Sequence, residues 1–218
     1  MAELPWQDNT PMDSDYHRLQ GMLLQECLRA YYADRTDVFV GADMAVYYSS
    51  LEARRNEFRA PDFFVVLDAL PREGGRLSWV VWEEERAPSL VVELLSHSTE
   101  AIDRGRKMTV YAKAMRVQEY YLFDPLDGRF EAYRLDMHAL ELRPVPVDEA
   151  TGVSSSLLDL RLAVVEGNFL GVRNRWLRFV TPSGALLPTG EERAQAEAAR
   201  ADRLAAKLRA LGIDPESA

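Results

Sequence analysis

Two apolar segments are each interrupted by a single carboxylate. Ala60-Pro-Asp-Phe-Phe-Val-Val-Leu67 holds Asp62, and Ser89-Leu-Val-Val-Glu-Leu-Leu-Ser96 holds Glu93. A continuous apolar run of this length, bounded by Pro88 and by the polar Ser96-His-Ser-Thr99, reads as a strand covered on both faces. Glu93 is therefore expected to be buried. A lone carboxylate in such a place is costly unless it is neutralised, hydrogen-bonded or bound to a cation. If the two strands are neighbours, Asp62 and Glu93 repel each other and each raises the other's pKa. A divalent cation between them removes both the repulsion and the desolvation cost. Oxygen ligands favour Mg2+ or Mn2+ over zinc, and neither Cys27 nor any of the three histidines sits at a zinc-binding spacing.

The strand period of two places Val91, Glu93 and Leu95 on one face, so position 95 supplies no cation to the pair. A helix starting near Thr99 and packing back along the strand brings Lys107 roughly 12 Å from its start, at about 1.5 Å per residue. That equals between three and four strand residues at about 3.3 Å each, counted back from Ser96, so Lys107 comes level with Glu93. The same spacing also makes Lys107 an exposed i,i+4 partner of Asp103, a bridge worth about a few tenths of a kcal/mol. Spacing alone leaves both readings open. His17 reads as a satisfied or exposed histidine, His97 as a loop residue, and Asp43 as either an orienting group or a solvated one. Tyr111, Tyr120 and Tyr121 read as core aromatics with hydrated hydroxyls.

These groups need elements to hold them. Asp13 or Ser14 can cap a helix over 15–33, with Leu19, Met22, Leu23, Cys27, Leu28 and Tyr31 at helical spacing. Strand patterns follow at 38–48, 61–67, 79–82 and 90–95, then a second helix over 99–115 with Met108, Ala112 and Met115 on one face. Further strand patterns at 117–123, 130–135 and 140–147 are split by Asp124-Pro-Leu-Asp-Gly128 and Asp136-Met-His138. This order predicts a mixed sheet with helices packed on it, in the α/β or α+β class. The expected organisation is a loose arm over 1–12, a domain over 13–181, a Pro/Gly linker over 182–190 and a C-terminal helix over 191–218. Ala194, Ala198, Ala201, Ala205 and Leu208 form a weak seam on that helix, which suits a coiled coil with a second chain, a contact with the domain, or plain solvation.

At 218 residues, 47% hydrophobic and 28% charged, the chain can bury a sizeable core. The formal charge of −9 excludes a protein that coats nucleic acid by bulk positive charge. A local cationic group exists in Arg104, Arg106, Lys107, Lys113 and Arg116, whose plainest reading is a solvated helix face. No leader pattern follows Met1 and every apolar run is too short to span a membrane, so a soluble cytoplasmic protein is expected. One cysteine forms no internal disulfide and reads as a packed thiol.

Taken in order, Pro61-Asp62, Val92-Glu-Leu-Leu-Ser96, Ser98-Thr99, Asp103, Lys107, Tyr111 and Val117-Gln-Glu-Tyr-Tyr-Leu-Phe-Asp-Pro125 resemble the Uma-two family of restriction endonucleases, within the PD-(D/E)XK nuclease superfamily. The resemblance covers about 15–165, and the tail ending in Leu208-Arg-Ala-Leu-Gly-Ile-Asp-Pro215 is similar to tails in that family. It implies a restriction-endonuclease-like fold with Asp62, Glu93 and the backbone carbonyl of Leu94 as ligands to Mg2+ or Mn2+, and Lys107 as a displaced catalytic lysine. It gives supporting places to His17, Ser96, Asp103 and Tyr111, and flanking-phosphate contacts to Arg104, Arg106 and Lys113. The implied activity is metal-dependent hydrolysis of phosphodiester bonds in DNA, by a homodimer or a monomer, with no small-molecule cofactor. The alternative is a non-catalytic nucleic-acid- or protein-binding module on the same fold. His97 stands where the family commonly has proline, and Met115-Arg116 replaces an alanine-glycine approach to Val117; neither removes a proposed site group.

Overall fold

A computed structural model of the chain describes residues 14–53, 57–72, 74–96, 100–211 and 214. The expected arm 1–12, the alternative cap Asp13, His97, Thr99 and the chain's last four residues lie outside the described residues. The first helix, Asp15–Tyr31, starts where Ser14 Oγ accepts the backbone N–H of His17. Leu19, Leu23, Leu24, Cys27 and Leu28 form its buried stripe.

β1 (Val38–Gly41), β2 (Val46–Tyr47), β3 (Phe63–Leu67), β4 (Trp79–Val80), β5 (Leu90–Leu94), β6 (Glu119–Phe123), β7 (Phe130–Asp136) and β8 (Glu141–Val145) follow in chain order. Six of them make the central sheet in the order β1-β3-β5-β6-β7-β8. The β5–β6 pair is parallel and its neighbours are antiparallel, so the sheet is mixed as expected. β5 and β6 are buried along their whole length because both faces are covered. On one face, Phe63, Val65, Val92 and Tyr121 pack on the first helix and on a second sheet. On the other, Phe64, Val91, Leu95 and Tyr120 pack on Tyr111, Ala112 and Met115 of the helix over 100–115.

The second sheet, β9 (Val153–Ser155), β10 (Leu160–Phe169) and β11 (Val172–Val180), is a feature the sequence reading did not assign. Two expected strands are corrected. The 38–48 run breaks at Asp43, which adopts a left-handed φ of 46°, before β2 resumes at Val46. The 79–82 run stops after two residues, because Val81–Glu84 turns helically and buries Glu84 against the Arg76 guanidinium at 2.8 and 3.0 Å.

The helix over 100–115 is only partly α-helical. Glu100–Ile102 and Met108–Val110 are α, whereas Asp103–Lys107 and Tyr111–Met115 are wound as π-helix. π segments of this kind recur at functional sites. After β11, Leu187 returns to the core and its N–H donates to Phe179 O at 2.9 Å. Thr189 and Glu192 then close a reciprocal cap on the C-terminal helix, Gly190–Ala210, none of whose residues is buried. Among the described residues no helix is long and apolar enough to cross a membrane.

Candidate active site

Asp62 lies one residue before β3, and the β3–β5 register that pairs Phe63 with Val92 sets it beside Glu93. Asp62 Oδ2 accepts the backbone N–H of Leu94 at 2.6 Å, and Glu93 Oε2 lies 3.5 Å from the backbone N of Asp62. Glu93 points toward the helix over 100–115 from a position with no exposed surface. There the π winding sets Asp103, Lys107 and Tyr111 in one row. Lys107 Nζ lies 3.1 Å from Glu93 Oε2 and 2.8 Å from Asp103 Oδ1, while the Tyr111 hydroxyl donates to Glu93 Oε1 at 2.6 Å.

The two readings of Lys107 thus hold at once, with one correction: the bridge to Asp103 is not an exposed one, since Asp103 is 1% exposed. Its Oδ1 has the ammonium as its contact without an aligned hydrogen bond. The hydroxyls of Tyr111, Tyr120 and Tyr121 are not hydrated either. They donate to Glu93, to the Asp103 carbonyl at 3.0 Å and to Glu119 at 2.8 Å, all inside the core.

Burial, then the Glu93 charge, pushes the Asp62 carboxyl well above the usual carboxylate range. Burial also raises Glu93, against the opposing pull of Lys107. Burial alone would lower the Lys107 ammonium, but Glu93 and Asp103 outweigh it and hold that pKa above the ordinary lysine value. Burial thus drives both carboxyls toward the neutral form, a cost that a bound cation would offset. Asp62, Leu94 and Lys107 open onto a cavity of about 300 Å³ that His17, Asp43, Ala60 and Ser96 complete. Asp62 and Leu94 border this opening and the Glu93 carboxylate lies buried behind them; carboxylate and carbonyl oxygens are the hard donors that suit Mg2+ or Mn2+. Among the described residues no group of three Asp, Glu, His or Cys side chains converges as a ready cation cage. Water or substrate oxygens would therefore complete the coordination, as is usual for Mg2+.

His17 is buried beneath this cavity, with Nε2 2.9 Å from the Leu95 carbonyl and Nδ1 2.6 Å from Ser14 Oγ. A carbonyl only accepts, so Nε2 carries the proton and Nδ1 accepts from the serine hydroxyl. His17 thus fixes the chain directly after Glu93 and Leu94. Ser96 lines the cavity. The three proposed phosphate contacts fare differently. Arg104 is held by Glu131 at 2.6 Å through both terminal nitrogens and by Glu100 at 2.9 Å, so its donors are already engaged. Arg106 is exposed and meets Glu57 at 3.2 Å, and Lys113 is exposed farther along the helix. Sequence reasoning missed the cavity place of Ala60 and the buried hydrogen bond of Tyr120 to the Asp103 carbonyl. The period of two along β6 and along the approach to Asp62 is the signal that would have found them.

Residues 7–165 match the model of the Uma2 family, described as "Putative restriction endonuclease". The chain belongs to the Uma2 family. A curated protein from Synechocystis sp. (strain ATCC 27184 / PCC 6803 / Kazusa), described as "Uncharacterized protein slr1290", is 32% identical over 96 residues, 43% of this chain and 47% of that protein. This Uma2 chain thus matches about half the length of that curated relative. Among solved structures, a nuclease belonging to DUF820 from Anabaena variabilis ATCC 29413, described as "putative", is similar at a TM-score of 0.50 and 15% identity. The match covers 68% of this chain and 76% of that one, and it shows the fold.

Proposed function

We propose that this Uma2 protein is a Mg2+- or Mn2+-dependent endonuclease that hydrolyses phosphodiester bonds in DNA. The observation that carries the reading is that Asp62 and Lys107 line one cavity and that Glu93, buried directly behind them, touches both residues, at 3.1 Å from Lys107 Nζ and 3.5 Å from the Asp62 backbone N. Asp62, Glu93 and the Leu94 carbonyl would hold the ion. Once bound there, it supplies positive charge against the developing phosphorane and lowers the pKa of a water. Lys107, pinned by Glu93 and Asp103, is a fixed donor for the attacking water or a non-bridging phosphate oxygen. Asp103 and Tyr111 keep that ammonium and the Glu93 carboxylate from swinging out of line, the kind of support that outer partners give to ligands. His17 holds the Leu95 carbonyl and so the path of the β5 end.

Nicking of supercoiled plasmid tests this reading. The wild-type protein should nick with Mg2+ or Mn2+ and stay silent in chelator, and Lys107→Ala should abolish the reaction in protein that remains folded by circular dichroism. Equal nicking by the variant would show that the activity belongs to another site or a contaminant. Calorimetric titration of Mn2+ should show lost affinity in Asp62→Ala.

A second reading, a non-catalytic binding module, draws on the lack, among the described residues, of three acidic, histidine or cysteine side chains grouped closely enough to hold a metal ion. Mn2+ binding without turnover on any DNA or RNA would favour it.

A further inference from the structure

The approach to Asp62 carries a surface that the phosphodiesterase reading leaves unused. Val46 and Arg59 exchange both backbone hydrogen bonds, at 2.6 and 3.1 Å, as an antiparallel pair. The pleat then puts their neighbours on the opposite face, Tyr47 across from Phe58 and Ala45 across from Ala60. Observed contacts agree. The Tyr47 and Phe58 rings meet at 5.6 Å between centroids, whereas Arg59 turns the other way and lies 5.8 Å over the Tyr48 ring. Continuing along the Phe58 face, Ala60 and Asp62 both line the cavity, with Asp43 beside them. The two segments stay joined there, since the Asp43 N–H donates to the Pro61 carbonyl at 3.2 Å.

One face thus runs from an aromatic pair, over small alanines, to the carboxylates. Phe58 is 41% exposed, an unusual state for a phenyl group beside a polar cavity. Four residues at about 3.3 Å separate it from Asp62, about 13 Å, which spans about four stacked nucleotides at about 3.4 Å each and fewer in a strand pulled straight. A cation stands at the same rim. Arg106, 70% exposed in its side chain, reaches Glu57, the residue before Phe58. A part-exposed aromatic pair beside an exposed guanidinium, in line with the proposed phosphate-cleaving centre, has the chemistry of a base-stacking platform.

We propose that Tyr47 and Phe58 stack an unpaired nucleobase a few nucleotides from the scissile phosphate, with Arg106 on the adjoining backbone, so that the substrate is single-stranded beside the cut. The proposal rests on the phosphodiesterase reading and adds its substrate class. Duplex DNA keeps its bases paired and stacked, offers no free face to Phe58 and binds without this contribution.

The test is equilibrium binding, in chelator to prevent cleavage, of a fluorescently labelled mixed-sequence 12-mer and of the same 12-mer as a duplex. Wild-type protein should bind the single strand more tightly. Phe58→Ala should lose about tenfold in affinity for the single strand, as expected for one lost base–aromatic stack, and keep its affinity for the duplex. Phe58→Trp should restore binding and show indole quenching on addition of the single strand but not of the duplex. Unchanged single-strand affinity in folded Phe58→Ala that still nicks plasmid overturns the platform while leaving the nuclease reading intact. Binding of neither oligonucleotide by the wild type overturns the platform, and the nuclease reading is then judged by plasmid nicking with Mg2+ or Mn2+.

Discussion

The phenol oxygen of Tyr111 stands 2.6 Å from Glu93 Oε1 in a layer where neither residue has exposed surface. A buried carboxylate that loses a donor loses much of the compensation for its desolvation. Tyr111→Phe should therefore lower stability by about 1–3 kcal/mol, read from urea denaturation. It should also weaken Mn2+ binding by about tenfold or more, because an outer partner of a ligand is gone. Unaltered Mn2+ affinity in the variant would separate this hydroxyl from the site.

Lys107 is the shared counter-charge of Glu93 and Asp103. Lys107→Met leaves two buried carboxylates facing each other and should cost about 3–5 kcal/mol at neutral pH. Adding Glu93→Gln removes one of them, so the double variant should be more stable than Lys107→Met alone. Additive losses in that cycle would mean the three groups are not coupled.

Glu84 offers a pH test away from the site. Hydrogen bonds from Arg76 hold its carboxyl below the usual range, with burial opposing. Its folded pKa is lower than its unfolded one, so the stabilisation is complete above the unfolded value, about 4.3, and fades as pH falls through the folded value. The gap in thermal midpoint between wild type and Glu84→Gln should be widest near pH 7 and close as pH drops below about 4. A gap that stays constant to pH 3 would contradict the assignment.

Gly21 of the first helix faces the Asp62 backbone. A Cβ there would meet the Asp62 carbonyl at 3.6 Å, ordinary contact. Gly21→Ala should gain about 0.5–1 kcal/mol from helix propensity and leave Mn2+ affinity unchanged. Gly21→Leu has no such room and should displace Asp62, which a fall in Mn2+ affinity would report.

Much of the site could be read from the chain because its cost is written there. A charge inside an apolar run is visible without coordinates, and Asp62 and Glu93 were each such a charge. The level of Lys107 followed from rise per residue, although half of that estimate assumed an α-helix and the segment winds partly as π. What stayed hidden depends on contacts between distant residues. Arg104 looks like a free surface cation until Glu131, 27 residues away, is brought against it. β10 and β11 were obscured by Gly167 and by arginines at 161, 173, 175 and 178, whose tolerance comes from their partners: Arg178 is 4% exposed and is held by Glu192 and the Leu187 carbonyl. The tyrosines were placed in the core correctly, but a hydroxyl's destination is decided by which carboxylate arrives above it.

The β3–β5 pairing has a further consequence. Asp62 enters from one side of that seam and Glu93 from the other, 31 positions apart in the chain. A ribosome-bound or partly melted molecule in which β3 has not yet zipped onto β5 holds two disconnected half-sites. On the proposed nuclease reading, zipping β3 onto β5 is then the step that assembles the acidic pair.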